Sequence, residues 1–175
     1  MPLSDALKEH ARLLLDSNLG SNQEVNLRRA VSSAYYAVFH LLSFEVARQM
    51  SPEIPSGLRG RTQRALDHGE MAKAAKLFIH AGEYAKDHGL PNDVGPLIPI
   101  STKLARIASN FRDLQQARYI ADYDVLDAGR VVNYVWASEY VDEAEQVFLD
   151  WEDEKETENA KAFLAALMLS SKWKK

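Results

Sequence analysis

The sequence predicts an all-α fold, an up-down bundle of about five or six helices. Three observations carry this. Apolar residues recur at three- and four-residue spacing along most of the chain, and two-residue alternation is almost absent. Proline- and glycine-rich stretches fall between the periodic segments rather than inside them. The 175 residues, 46% hydrophobic and 26% charged, suffice for one sizeable core and are too apolar for disorder. Residues 1–150 read as the bundle and residues 151–175 as a helical extension of the same domain.

A first helix is expected from about Ser4 to Leu15, with Leu7, Ala11, Leu14 and Leu15 on one side. Ser21 and Glu24 have capping-box spacing, and a second helix runs from there to about Met50. "SPEIPSG" stops it. A third helical region covers roughly Leu58 to Lys86, interrupted near "DHGEM", with Met71, Ala74, Ala75, Phe78 and Ile79 inward. The longest loop, "DHGLPNDVGPLIPI", follows. Ser101 caps a fourth helix that reaches Tyr119 or beyond. A fifth begins near Asp124 to Asp127 and passes through Val132, Val135, Trp136, Val147, Phe148 and Trp151. The tail, "AKAFLAALMLSSKWKK", closes the chain with lysines where the helix dipole favours positive charge. The acidic run near "DWEDEKETE" reads as a solvated helix or a break between two helices.

Composition excludes several chemistries. There is no cysteine, hence no disulfide, thiolate zinc site or cysteine nucleophile, which fits a reducing compartment. The first residues lack the pattern of a signal peptide and no apolar run approaches membrane-span length, so a cytoplasmic protein without a membrane partner is expected. No glycine-rich phosphate loop, nucleophile elbow or HExxH pair occurs, and Glu-x-x-His is absent, so neither cofactor nor metal is expected. A net charge of −4 argues against nucleic-acid binding over the whole surface. The middle is locally basic, however, with Arg59, Arg61, Arg64, Lys73 and Lys76, whereas Glu139 to Glu158 is acidic.

Two segments carry polar residues where burial is expected. In "RRAVSSAYYAVFHLL", a turn of about 100° per residue clusters Leu27, Val31, Ala34, Tyr35, Val38, Leu41 and Leu42 on a core face. Arg29, Ser33, Tyr36 and His40 fall in a narrow arc opposite it, and the flanks hold Ala30, Ala37, Phe39 and Phe44. A helix that is small or apolar nearly all round is covered on both sides, by a helix, a second copy or a ligand. Local packing of the Tyr and His rings is the alternative. In "LQQARYIADYDV", the inward stripe Leu104, Ile107, Phe111 and Leu114 continues onto Arg118 and Asp122, an i,i+4 pair, with Tyr119 and Tyr123 beside it. Such a pair either locks the helix end or presents an arginine to a phosphate or carboxylate in a cleft.

The two segments together resemble the HEPN superfamily, in particular stand-alone bacterial HEPN-like helical-bundle proteins. Arg29, Ala34, Tyr35, Tyr36, Ala37, Phe39 and His40 match the tyrosine-rich helix, and Arg118, Ala121, Asp122 and Tyr123 match the later segment. "RALDHG" at 64–69 is similar too, and the resemblance spans roughly residues 20–150. It implies a bundle that dimerises, with members serving as toxins, antiphage effectors, RNA-processing ribonucleases or companions of nucleotidyltransferases. Active members carry an Arg, a short spacer and a His, paired across the dimer, and cleave RNA without metal. Here Arg118 takes the Arg position, and no His follows it within reach. The resemblance therefore implies a catalytically degenerate module that binds RNA, a nucleotide or a cognate nucleotidyltransferase or antitoxin. Arg29, Ser33, Tyr36, His40, Arg118, Asp122 and Tyr123 would line its cleft or dimer seam. The alternative is a metal-independent endoribonuclease using Arg61 and His68, which fit the spacing with six residues between them, or Arg118 and His40.

Overall fold

Side-chain caps start the helices where the local sequence supplies them. Ser101 Oγ accepts the Leu104 amide at 3.0 Å, and Asn133 Oδ1 accepts that of Trp136 at 2.9 Å. Asp67 Oδ1 accepts from Gly69 and Glu70, and Thr157 Oγ1 from Ala160. The computed structural model describes residues 1–17, 23–50, 55–84, 87, 90, 98–124 and 132–172. Among them the chain is all-α, with seven α-helices. These are α1 (Leu3–Asp16), α2 (Gln23–Met50), α3 (Ser56–Arg64), α4 (His68–Ala75), α5 (Thr102–Tyr123), α6 (Tyr134–Glu154) and α7 (Glu158–Leu169).

Four long helices form an antiparallel bundle, and cross-links fix their directions. Between α1 and α2, Ser17 meets Asn26 and His10 meets Ser33. Between α2 and α5, Ser32 meets Asp122 and Tyr36 meets Arg118. Between α5 and α6, Lys103 meets Asp153 and Arg106 meets Asp150; α6 returns to α1 through Arg12 with Asp142 and Glu145. In each helix pair, rising numbers on one side meet falling numbers on the other, the α1–α6 pair through Lys8 over Phe148 beside Arg12 with Asp142 and Glu145. The smaller helices close one end. α4 and α7 pack together, with Phe78 edge-on to Phe163 at 5.2 Å. The C-terminal extension thus contributes Phe163, Leu164 and Leu167 to the same core as α2 and α5.

α2 is the central element. Ala30, Val31, Ala34, Tyr35, Ala37 and Val38 are all fully buried although they point to several sides. α1, α5 and α6 surround it, with α3 and α7 against it as well. Its apolar circumference is thus covered largely from within the chain, the arrangement expected of a helix without a charged face.

Two boundaries differ from the sequence expectation, and the expected interruption of the third region is present. The third region is two helices, split at Ala65–Asp67 where Asp67 caps α4, and helix ends at Phe78 in a short 3₁₀ turn instead of reaching Lys86. The chain then turns through Gly82 at φ 79°, a left-handed conformation that glycine adopts without a Cβ penalty. Gly82 N–H donates to Ile100 O at 2.7 Å, and Ile100 N–H to Glu83 O at 3.2 Å, tying this turn to the residue before Ser101. The fifth helix starts at Tyr134 instead of Asp124–Asp127, because α5 runs on to Tyr123 and Asn133 supplies the cap. The acidic run is both a helix end and a break: α6 stops at Glu154, and Lys155–Thr157 turn into α7. The Ser21 capping position, most of the long loop and the lysines beyond Lys172 lie outside the described residues.

Candidate functional site

Because α2 and α5 are antiparallel, the two polar segments meet. Asp122 is their hub. Its Oδ1 accepts from Ser32 Oγ and lies 3.8 Å from Arg29, and its Oδ2 lies 2.7 Å from Arg118 Nε. That last contact is an ion pair without a directed hydrogen bond, since Arg118 Nε is buried with no hydrogen-bond partner. Arg118 Nη2 instead donates to Tyr36 OH at 2.7 Å and reaches Tyr123 OH at 3.5 Å. The guanidinium carbon sits 5.3 Å from both ring centroids, within cation–π range. Burial opposes the Arg118 charge, but Tyr36, Asp122 and Tyr123 more than compensate and hold its pKa above the ordinary arginine value. Behind the pair, Arg28 donates to the carbonyls of Ile120, Ala121 and Asp124, closing the C-terminus of α5 where the helix dipole is negative.

His68 enters from α4. Its Nδ1 lies 2.5 Å from Tyr35 OH, its ring stacks on Phe39 at 3.9 Å and 19°, and Tyr36 meets it edge-on at 6.0 Å. Gln115 of α5 holds its backbone carbonyl at 2.8 Å. Burial lowers the His68 pKa, and the charges of Arg118 and His40 lower it further against the pull of Asp67. Burial also lowers His40 and raises the Tyr35 phenol above its usual range. Near pH 7 the site therefore combines neutral imidazoles with a permanent guanidinium.

Beside His68 a hollow of ≈ 270 Å³ opens between α2 and the α3–α4 segment. Phe39, His40, Ser43, Gln63, Arg64 and His68 contribute to its lining.

The residues singled out by the sequence thus separate into groups. Arg29, Tyr36, Arg118, Asp122 and Tyr123 form one contact network, and His40 adjoins it through the shared neighbour His68. Ser33 turns the other way, to His10 of α1 at 3.1 Å. Arg61 is exposed on α3 and is not among the residues lining the hollow; Arg64, one turn on, is. Sequence reasoning passed over Arg28, Ser32, Ser43 and the Tyr35 hydroxyl, and placed Arg64 only in the basic middle of the chain. The only available signal was that a tyrosine on a core face needs a polar partner. His68, paired with Arg61 in the sequence reading, has its ring in an aromatic cluster with Tyr35, Tyr36 and Phe39.

Among the described residues no group of three or more His, Asp or Glu is placed to hold a metal ion. No described helix is long and apolar enough to cross a membrane. Compared with family models, curated proteins and solved structures, the chain matches none. The HEPN resemblance accordingly rests on the motifs in α2 and α5.

Proposed function

We propose that this chain is a HEPN-like helical-bundle protein that binds RNA or a nucleotide at the Arg118 cleft. It works as a dimer, in the setting of a toxin–antitoxin, antiphage or nucleotidyltransferase-associated pair. One observation carries the reading: Arg118 is held against two tyrosines and one carboxylate without a bidentate lock. A guanidinium so placed can still offer N–H groups to a phosphate, and tyrosine rings can stack on bases. Asp122 keeps it oriented, and Ser32 and Arg29 partly satisfy that carboxylate.

A second reading, a metal-independent endoribonuclease, is favoured by the two imidazoles. The segment after Arg118 lacks histidine, yet His40 and His68 line one hollow, and Tyr36, bonded to Arg118, meets the His68 ring edge-on. A neutral imidazole can accept the proton of a ribose 2′-hydroxyl as its oxygen attacks the neighbouring phosphorus. Arg118 would stabilise the phosphorane charge, and the second imidazole, once protonated, would return a proton to the departing 5′-oxygen.

Incubation of the protein with labelled RNA in EDTA separates the two. RNA bound and recovered intact, with affinity lost in Tyr36→Phe and Arg118→Gln, supports the binding module. Fragments ending in 2′,3′-cyclic phosphate support the ribonuclease. A protein that neither binds nor cleaves RNA ends both. Light scattering on the wild type and His40→Ala tests the dimer.

A further inference from the structure

The hollow next to His68 has the chemistry of a small, specific site, and Ser43 is its distinguishing group. Ser43 is 1% exposed, lines the hollow, and its Oγ has no hydrogen-bond partner. A buried hydroxyl left unpaired is costly, and native structures rarely leave one so. The groups around it are selective. Phe39 and His68 form a stacked aromatic wall, and Leu66 adds an apolar contact. Gln63 brings an amide that both donates and accepts, and His40 a second imidazole. Arg64 supplies a cation at the mouth, and no carboxylate is among the described residues that line the space. A cationic ligand has nothing to pair with here, and a purely apolar one leaves Ser43 and Gln63 unanswered.

We infer that this hollow accepts a nucleobase, with Ser43 and Gln63 reading its polar edge, the Phe39–His68 wall bearing its flat side and Arg64 meeting the attached phosphate. The inference rests on the proposed RNA or nucleotide binding and assigns it a base-reading subsite next to the Arg118 cleft. A volume of ≈ 270 Å³ has room for one base and part of its ribose. The base comes from a free nucleotide or from a strand lying across Arg118, since both present the same edge.

Titration calorimetry with the four ribonucleoside 5′-monophosphates, and with ribose 5-phosphate as the control without a base, tests this. At least one nucleotide should bind tenfold or more tightly than ribose 5-phosphate. Gly60 lines the hollow, and a Cβ built there meets only Arg64 Nη1 at 3.7 Å, so a side chain can be added without backbone strain. Gly60→Leu, which fills the hollow, should abolish the preference for nucleotide over ribose 5-phosphate. Ser43→Ala should weaken the preferred nucleotide several-fold, while Arg118→Gln should weaken RNA binding with the nucleotide preference preserved. A short RNA oligonucleotide, run in parallel, separates the two sources of the base. Equal binding of nucleotides and ribose 5-phosphate, or a preference that survives Gly60→Leu, overturns the inference. RNA binding that still depends on Arg118 would then leave the proposed function standing. Loss of RNA binding altogether, with the nucleotide preference intact, would instead remove that function and keep the pocket.

Discussion

Two arginines on the same face-to-face helix system, three turns apart on α5, are held in opposite ways. Arg106 grips Asp150 of α6 with both Nε and Nη2 at 2.6 Å, and Gln146 supports the same carboxylate at 3.0 Å. Burial pushes Asp150 upward, but the hydrogen bonds from Arg106 and Gln146 prevail and hold it below the usual carboxylate range. Arg118 has one carboxylate on its Nε without a directed bond, and its Nη2 goes to tyrosine hydroxyls. The first is a closed joint between helices, in which donors and acceptors are matched. The second is a positioned cation with unspent donor capacity. Identical residue types on one helix thus give a structural clasp in one place and a candidate binding group in the other. What they face across the interface makes the difference.

In both regions burial pushes titratable groups toward their neutral forms. On the α5–α6 side, burial first, and then the charges of Asp113 and Glu139, raise Glu143 to about 7. On the α2–α4–α5 side, burial lowers both His40 and His68.

The broadest way to break the comparison is Phe111→Ala. Phe111 is fully buried on α5 between the two arginines and stacks on Tyr35 at 6.0 Å. Its loss should cost about 4 kcal/mol in chemical denaturation and disturb both regions at once. Asp150→Ala acts on the clasp alone. It should lower stability by about 2 kcal/mol, since charge-assisted bonds are lost while Arg106 can still reach water, and RNA affinity should not change. Arg118→Gln should do the reverse, weakening RNA binding about tenfold, or about 1.4 kcal/mol, with a smaller change in unfolding free energy. Were Asp150→Ala and Arg118→Gln to give the same pattern, the distinction drawn here would collapse.

The smallest effects are those of pH, and their signs differ. The raised pKa of Glu143 contributes stability that is present below its unfolded value of 4.5 and lost as pH rises through about 7. Glu143→Gln should therefore raise the melting temperature at pH 8 and change it little at pH 4. The gain is at most about 1 kcal/mol, because the side chain is partly open to solvent. The lowered histidines contribute stability present above pH 6.5 that is lost as pH falls through their folded values. NMR titration should find both imidazoles below 6.5, and a value at or above it for His68 would contradict the buried aromatic setting.

Much of the bundle was legible because its signals are local. The stripe Leu104, Ile107, Phe111 and Leu114 is fully buried as its spacing implied. Ser101 caps α5, and the interruption before "HGEM" is real. Its continuation onto Arg118 and Asp122 was less accurate. Ala117 and Ala121 take the fully inward positions, and the charged pair lies on the flank, partly buried. Reading angles along one helix cannot fix which flank a neighbour covers.

The amino-acid sequence by itself determined that the chain is helical, where most helices begin and end, and that α2 must be covered nearly all round, because periodicity, caps and breakers act within a few residues. Only the tertiary structure decided that Ser33 turns to α1 while Tyr36 turns to Arg118, that His68 comes to rest against Tyr35, 33 residues away, and that Arg64 instead of Arg61 reaches the hollow. Those outcomes depend on which helices are neighbours and in what register. Register is set by the whole core closing at once, and no short stretch of sequence contains it.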